Sequence, residues 1–318
     1  MQCFLGIDTS CYTTSVAMVD EKQNLIAETR TYLDVPSGER GLAQAEGVYQ
    51  HIRKIPGLLE QLFAAKPIGA TLCAVAVSAV PRDVEDSFMP VFKVGEAVGN
   101  SIAIAANLPL YRTSHQNNHI LAGRWSAGGL VSDDFLTVHL SGGTTELHRV
   151  DNDLSLKLLG KTKDLHAGQF VDRVGVALGL PFPAGAELEQ LALQAGNKDI
   201  VIPSAVSAYD VSFSGPESAA QRFVKGQYPK EEIAFAVFAC IAKSMEKMLR
   251  KAIEDTGLKD VLVVGGVASN SVIRTLLRHR LEHRAIGARL YFAEPKYSSD
   301  NAVGTALYAC RQFQARAL

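Results

Sequence analysis

The sequence predicts an α/β protein built on a duplicated nucleotide-binding plan, and three observations carry that expectation. Apolar strand-like runs alternate with helix-like runs along the chain. Two strand–turn–strand segments, residues 4–19 and 135–150, each open one half of it. A third segment, 261–270, runs from a buried-type strand through Gly265-Gly266 to a helix start at Ser271. That is a usual place to hold a nucleotide's phosphate or ribose.

The elements follow in order. Residues 4–10 and 15–19 read as a hairpin around the small polar stretch Asp8-Thr9-Ser10-Cys11-Tyr12-Thr13-Thr14, and 24–31 as a third strand. Helical apolar spacing runs over 47–65, with Pro56 as a kink or break. A buried strand is expected at 72–78, a helix rich in small residues at 92–106, and a short strand at 110–112. Ser114 then caps a helix over 114–121. Gly123, Gly128 and Gly129 mark the boundary between halves, giving an N-terminal lobe over 1–130 and a C-terminal lobe over 131–318. The second half is expected to hold the 135–150 hairpin and a helix at 168–178, followed by a turn at 181–185 and a helix at 187–195. After these come a polar loop at 212–215 and a long amphipathic helix at 231–254. The 261–264 strand and a following helix, a strand near 289–293, a loop through Asp300 and a last helix to about 315 complete it.

Composition excludes several classes. The 318 residues are 47% hydrophobic, enough for two packed domains and too apolar for disorder. A net charge of -1 offers no global basic field for nucleic acid, so any RNA contact must come through a local patch or a partner. No apolar run reaches membrane-spanning length, and no signal-peptide pattern precedes the first strand. Cys3, Cys11, Cys73, Cys240 and Cys310 form no paired spacing, as expected of reduced thiols in a cytoplasmic protein.

Several residues carry chemistry. In Ser141-Gly142-Gly143-Thr144-Thr145, the glycines let backbone N–H groups approach an anion, and the hydroxyls add donors. The plainer reading is a hairpin turn of small residues. His115 and His119 stand four apart, which on a helix places both imidazoles on one face and suits two ligands of one metal. The alternative is a pair of solvated or capping histidines. Position 116 is Gln116, so the metalloprotease His-Glu-x-x-His pattern is absent. Asp300 either completes a two-histidine, one-carboxylate set or caps the last helix. His139 is either a further ligand or an ordinary strand residue. Asp172 is either a ribose hydrogen-bond acceptor or a surface ion-pair residue. Asp8 is either an acid for a metal or water, or a turn aspartate.

Taken together and in order, GIDTSCYTTSVA, VGEAVGNSIAIA, His115-x3-His119, LSGGTTEL, SFSG, GGVASN and SSDNA resemble the tRNA threonylcarbamoyladenosine synthase family. This is the TsaD/YgjD type, also described as O-sialoglycoprotein endopeptidase-like (peptidase family M22). The resemblance spans Gly6 to about Ala306 and implies the ASKHA fold of actin, sugar kinases and the Hsp70 ATPase domain, with mixed sheets flanked by helices. It implies metal ligation by His115, His119 and Asp300, with iron or zinc the metal. His139 stands where some members place a ligating tyrosine. It implies phosphate contacts from Ser141 to Thr145, and nucleotide contacts from Asp172, Gly185 and Asn270, with Gly265 and Gly266 in the same loop set. Asp8 and Thr13 of the first loop are the expected catalytic residues. The reaction implied is transfer of a threonylcarbamoyl group from threonylcarbamoyl-AMP to the N6 amine of an adenosine beside the tRNA anticodon, with TsaB-like and TsaE-like partners.

The chain departs from the family pattern at named places. Cys11-Tyr12-Thr13-Thr14 replaces Cys-Asp-Glu/Asp-Thr, and Gln116-Asn117-Asn118 lacks an acid between the histidines. Ala79-Val80-Pro81-Arg82 replaces Gly-Pro-Gly, and Gln169 stands where the Glu of Gly-Glu-Ala-Phe-Asp is usual. The alternatives are an ASKHA nucleotide hydrolase or small-molecule carbamoyl or phosphoryl transferase, and a non-catalytic partner in a tRNA-modification complex.

Overall fold

The computed structural model describes residues 1–10, 12–35, 42–128, 132–152 and 154–316. Cys11, Gly129 and the expected half boundary at 130/131 lie outside the described residues. The chain forms two compact units, one of Met1–Ser126 with Ser299–Leu318 and a second of Ala127–Ser298.

In the first unit, β1 (Gln2–Ser10), β2 (Thr13–Asp20), β3 (Leu25–Tyr32), β4 (Thr71–Val80) and β5 (Leu110–Ser114) form a sheet of order β3-β2-β1-β4-β5. β1, β2 and β3 are an antiparallel meander; β4 joins β1 in parallel, and β5 joins β4 in parallel. Helices α1 (Gln44–Ala64), α2 (Phe92–Ala106), α3 (His115–Ser126) and, from the C-terminus, α10 (Val303–Arg316) cover it. Leu5, Ile7, Val16, Val75 and Val77 are fully buried beside Ile55, Leu58 and Leu62 of α1. The last helix, expected in the second lobe, belongs here. Gly304 explains the fit: a Cβ on it would stand 1.9 Å from the Asn118 carbonyl oxygen, so α10 approaches α3 backbone to backbone.

The second unit repeats the plan. β6 (Phe135–Leu140), β7 (Thr145–Val150), β8 (Leu156–Lys161), β11 (Asp260–Val264) and β12 (Arg289–Phe292) pair in the order β12-β11-β6-β7-β8. The meander is again antiparallel, and β11 joins β6 and β12 in parallel. Reversed, this is the order and sense of the first sheet, so the duplication read from two hairpins extends to whole sheets. Around it lie α4 (Ala167–Ala177), α5 (Gly185–Leu193), the small hairpin β9 (Ala205–Ser207) and β10 (Asp210–Ser212), and α6 (Ser214–Lys225). α7 (Lys230–Thr256), α8 (Ser271–Leu281) and the short α9 (Pro295–Ser298) complete it. Phe170, Phe213 and Phe238 are buried with one face of β6 and β11.

Four sequence expectations are corrected. β1 runs to Ser10 as expected, but β2 begins at Thr13 rather than at 15, so Thr13 and Thr14 are buried strand residues like Asp8, Thr9 and Ser10 before them. Of the two readings of Pro56, kink or break, the break is excluded, because α1 continues through it. α3 extends beyond 121 to Ser126. The expected loop at 212–215 is the end of β10 and the start of α6.

That junction is pinned by Asp164, which accepts from the backbone N–H groups of Phe213 and Leu165. Burial works against its charge, yet these bonds and the Ser212 hydroxyl hold its carboxyl down at about 2. A depressed carboxylate stabilises the fold above its unfolded value near 4, and that contribution is lost as pH falls through about 2. Asp164→Asn is therefore expected to flatten the pH dependence of the melting temperature between about pH 5 and 2. An unchanged slope would rule this tether out.

Candidate functional site

In the first unit, β5 feeds directly into α3, and the Ser114 hydroxyl accepts from the Asn117 N–H as the expected cap. This fixes His115 in the first turn and His119 one turn later, on the same face. Their Nε2 atoms are 3.1 Å apart. Asp300 Oδ1, from the loop before α10, lies 3.2 Å from His119 Nε2 and 3.5 Å from His115 Nε2. Among the described residues this is the cluster able to hold a metal ion. Asp300 is not a helix cap, because Asn301 takes that role by accepting from the Val303 N–H at 2.9 Å.

The donor set fits a divalent transition metal. Three ligand atoms about 2.0–2.2 Å from one ion lie roughly 3–3.5 Å from each other, as these do. Two imidazole nitrogens and one carboxylate oxygen suit zinc or iron rather than magnesium or calcium. Burial disfavours a charge on His115, but the Asp8 carboxylate, with Asp300, holds its imidazole well above the ordinary value. Asp300 sits well below the carboxylate range despite burial, because both histidines bond to it. The cluster thus favours a positive charge between its three arms.

Asp8 and Thr13, expected to be catalytic, hydrogen-bond to these side chains from behind. Asp8 is fully buried; its Oδ2 lies 2.8 Å from His115 Nδ1 and accepts from Asn118 Nδ2 at 3.0 Å, and its Oδ1 accepts from the Ser10 N–H. Burial would raise its carboxyl, but His115 and then Ser78 keep it below the usual value. A carboxylate on the far nitrogen of a ligating histidine fixes the tautomer and ring orientation. Thr13 Oγ1 donates to Asp300 Oδ2 at 3.4 Å.

Two residues missed in the sequence belong to this support. Arg30 Nη1 donates to the Asp300 carbonyl at 2.9 Å and to Ser299 Oγ at 3.0 Å. Asn118 joins Asp8 to the Asn301 carbonyl and accepts from the Thr305 N–H. Neither lies in a pattern that spacing alone would reveal, although Asn118 stands between the two histidines.

The second unit holds a separate pocket of about 270 Å³. It brings together Gly142, Asp172, Gly185, Gly266 and Asn270, all expected from the sequence, and adds Gly168 and Glu189. Gly168 packs so closely that an added Cβ would stand 2.7 Å from the Gly142 backbone, which sets the N-terminus of α4 against the Ser141–Gly143 turn. N–H groups and the helix dipole there favour an anion. Ser141 Oγ accepts from the N–H groups of Gly143 and Thr144, and Thr145 Oγ1 accepts from the Ala167 N–H. These residues shape the turn, while Gly142 faces the pocket. Gln169 keeps the helix start intact, since its Oε1 accepts from the His166 N–H as a glutamate would.

On the other wall, Asn270 caps α8 with Oδ1 accepting from the Ile273 N–H, leaving its amide NH2 as the donor group. Asp172 Oδ1 accepts from the Ala184 N–H, and burial raises its carboxyl. Glu189, missed in the sequence, accepts from the Ser271 N–H at 2.7 Å. Gly265 does not line the pocket. At φ +100 it passes the Leu140 carbonyl, which an added Cβ would meet at 2.3 Å. His139 stands on β6 opposite Glu146 and beside Val264, in the second unit.

The fold and the family are shown by comparison with known proteins. The chain is similar to the activator of the 2-hydroxyisocaproyl-CoA dehydratase from Clostridium difficile with bound ADPNP, at 16% identity and TM-score 0.57, covering 99% of this chain and 97% of that one. It is similar to a ROK family glucokinase from Streptomyces griseus in complex with glucose and AMPPNP, at 14% identity and TM-score 0.55, covering 98% and 99%. It is also similar to T. kodakarensis HypF, at 12% identity and TM-score 0.65, covering 99% of this chain and 48% of that one. At these identities the likeness is one of fold, and the fold is ASKHA. The sequence profile of TsaD, described as tRNA N6-adenosine threonylcarbamoyltransferase, matches residues 40–307. That match takes in both histidines, Asp300 and every pocket residue named above, and by it the chain belongs to the TsaD family.

Proposed function

We propose that this protein transfers a threonylcarbamoyl group from threonylcarbamoyl-AMP to the N6 amine of a tRNA adenosine. The single observation that carries the reading is the converging His115–His119–Asp300 set with the buried Asp8 behind it, in a chain of this family. A divalent metal there, iron or zinc, supplies Lewis-acid polarisation of a phosphoryl or carbamoyl oxygen. His115, His119 and Asp300 would hold it. Asp8 and Thr13 position the ligands rather than touch the reacting atoms.

The second unit's pocket takes the adenylate. Gly142 and the start of α4 receive the phosphate, with Asp172, Glu189 and Asn270 on the nucleoside. In the transfer, the amine nitrogen forms a bond to the carbamoyl carbon and gives up one proton to solvent, and the bond from that carbon to the phosphate oxygen breaks with its electron pair on the oxygen, releasing AMP. A cytoplasmic setting and TsaB-like and TsaE-like partners accompany this reading.

A nucleotide hydrolase or phosphoryl transferase is the second reading, supported by the likeness to an AMPPNP-bound glucokinase. The test is mass spectrometry of tRNA nucleosides from cells deleted for the gene. Loss of N6-threonylcarbamoyladenosine, restored by the intact gene, is expected. An unchanged nucleoside profile would refute the transfer.

A further inference from the structure

A second cavity, of about 330 Å³, lies elsewhere in the second unit and has no part in the transfer reading. Its origin is local. One face of α7 carries small side chains at Ala236, Ala239 and Cys240, and Ile200 and Ile202, in the segment between α5 and β9, turn into the core. Phe235 and the Cys240 thiol, pushed up to about 12 by burial, complete an apolar floor.

The rim is cationic: Lys198, Lys243 and Arg280, with no carboxylate among the described lining residues. Lys198 Nζ lies 4.7 Å above the Phe235 ring rather than on an acid. Lys243, Arg250 and Arg280 share one buried carboxylate, Glu246, at 3.3, 3.5 and 2.6 Å. One negative charge thus answers three positive ones, and Lys198 adds a fourth at the mouth. The surplus charge calls for an anion, and the apolar floor calls for a hydrocarbon body attached to it. The volume stands at the lower end of small-molecule sites, about 300–1,000 Å³.

We propose that this cavity binds a small organic anion, an aliphatic or aromatic body carrying one carboxylate or phosphate head. The body lies along Ala236, Ala239 and Cys240, and the head meets Lys198 and Lys243.

The test titrates full-length protein with octanoate, octyl phosphate, octanol and inorganic phosphate, by calorimetry and by methyl NMR of Ile200, Val201 and Ile202. Octanoate or octyl phosphate is expected to bind and shift those methyls, and the tighter of the two identifies the head group. Octanol and inorganic phosphate, each lacking one half of the chemistry, are expected to bind at least about tenfold more weakly. Lys243→Glu, which reverses the rim, and Ala239→Phe, which fills the floor, are each expected to weaken binding by about tenfold or more. A melting curve for each variant separates lost binding from lost fold. The proposal is overturned if neither anion shifts the methyls at millimolar concentration, or if a folded variant of either kind keeps wild-type affinity.

Discussion

Replacing both helical histidines, His115→Ala with His119→Ala, is expected to remove the bound divalent metal and lower transfer by more than about a hundredfold. The two rings contribute Nε2 atoms 3.1 Å apart, and a single carboxylate cannot hold a transition metal without them. Asp8→Asn should act through His115 instead. It keeps the shape but not the charge behind the ring, so metal affinity should fall about 10–100-fold while the ligands remain. Protons compete for the same site, and His115 is held well above the ordinary imidazole value by its carboxylates. Metal affinity is therefore expected to fall as pH drops, beginning above the usual histidine range. Elemental analysis of protein prepared without chelator or a histidine tag reads all of these. A double variant with full metal content would remove the site.

The second large effect separates two adjacent glycines. Gly265→Val is expected to unfold the protein or cost several kcal/mol, because φ +100 is strained for a β-branched residue and its Cβ would overlap the Leu140 carbonyl. Gly266→Val has nothing within 4 Å of its Cβ and lines the pocket, so the fold should survive while the methyls occupy nucleotide space. Gly142→Val is expected to behave like Gly266→Val for the same reason. Calorimetry with ATP, ADP and threonylcarbamoyl-AMP beside a melting curve reads both quantities. Loss of nucleotide binding by at least about tenfold in a stable Gly266→Val protein supports the pocket. Unchanged binding would move the nucleotide elsewhere.

The duplicated plan was legible because each copy announces itself by a hairpin of alternating apolar residues, and backbone pairing does the rest. The pairing of His115 with His119 was legible because a helix converts a spacing of four into a shared face. Asp300 stayed open between metal set and helix cap, since only the fold brings a residue 181 positions beyond His119 to within 3.2 Å. Asp8 and Thr13, expected as catalytic residues of the first loop, are buried strand residues, and only the pairing of β1 with β2 shows that β2 begins at Thr13. Arg30, Asn118 and Glu189 were invisible for a related reason. Each acts on a backbone or a side chain distant in sequence. The missing acid at position 13 now has a physical setting. Thr13 is buried against Asp300, so Thr13→Glu would bury a second carboxylate beside the first and needs a bound cation to hold it.

Purified, metal-loaded protein mixed with threonylcarbamoyl-AMP, unmodified tRNA and the partner proteins of the family reads the transfer itself. N6-threonylcarbamoyladenosine is expected in the digested tRNA, in step with AMP release, and its formation should vanish in the His115→Ala, His119→Ala protein. AMP released without modified adenosine, or equal modification by that double variant, would contradict a metal-dependent transferase built on His115, His119 and Asp300.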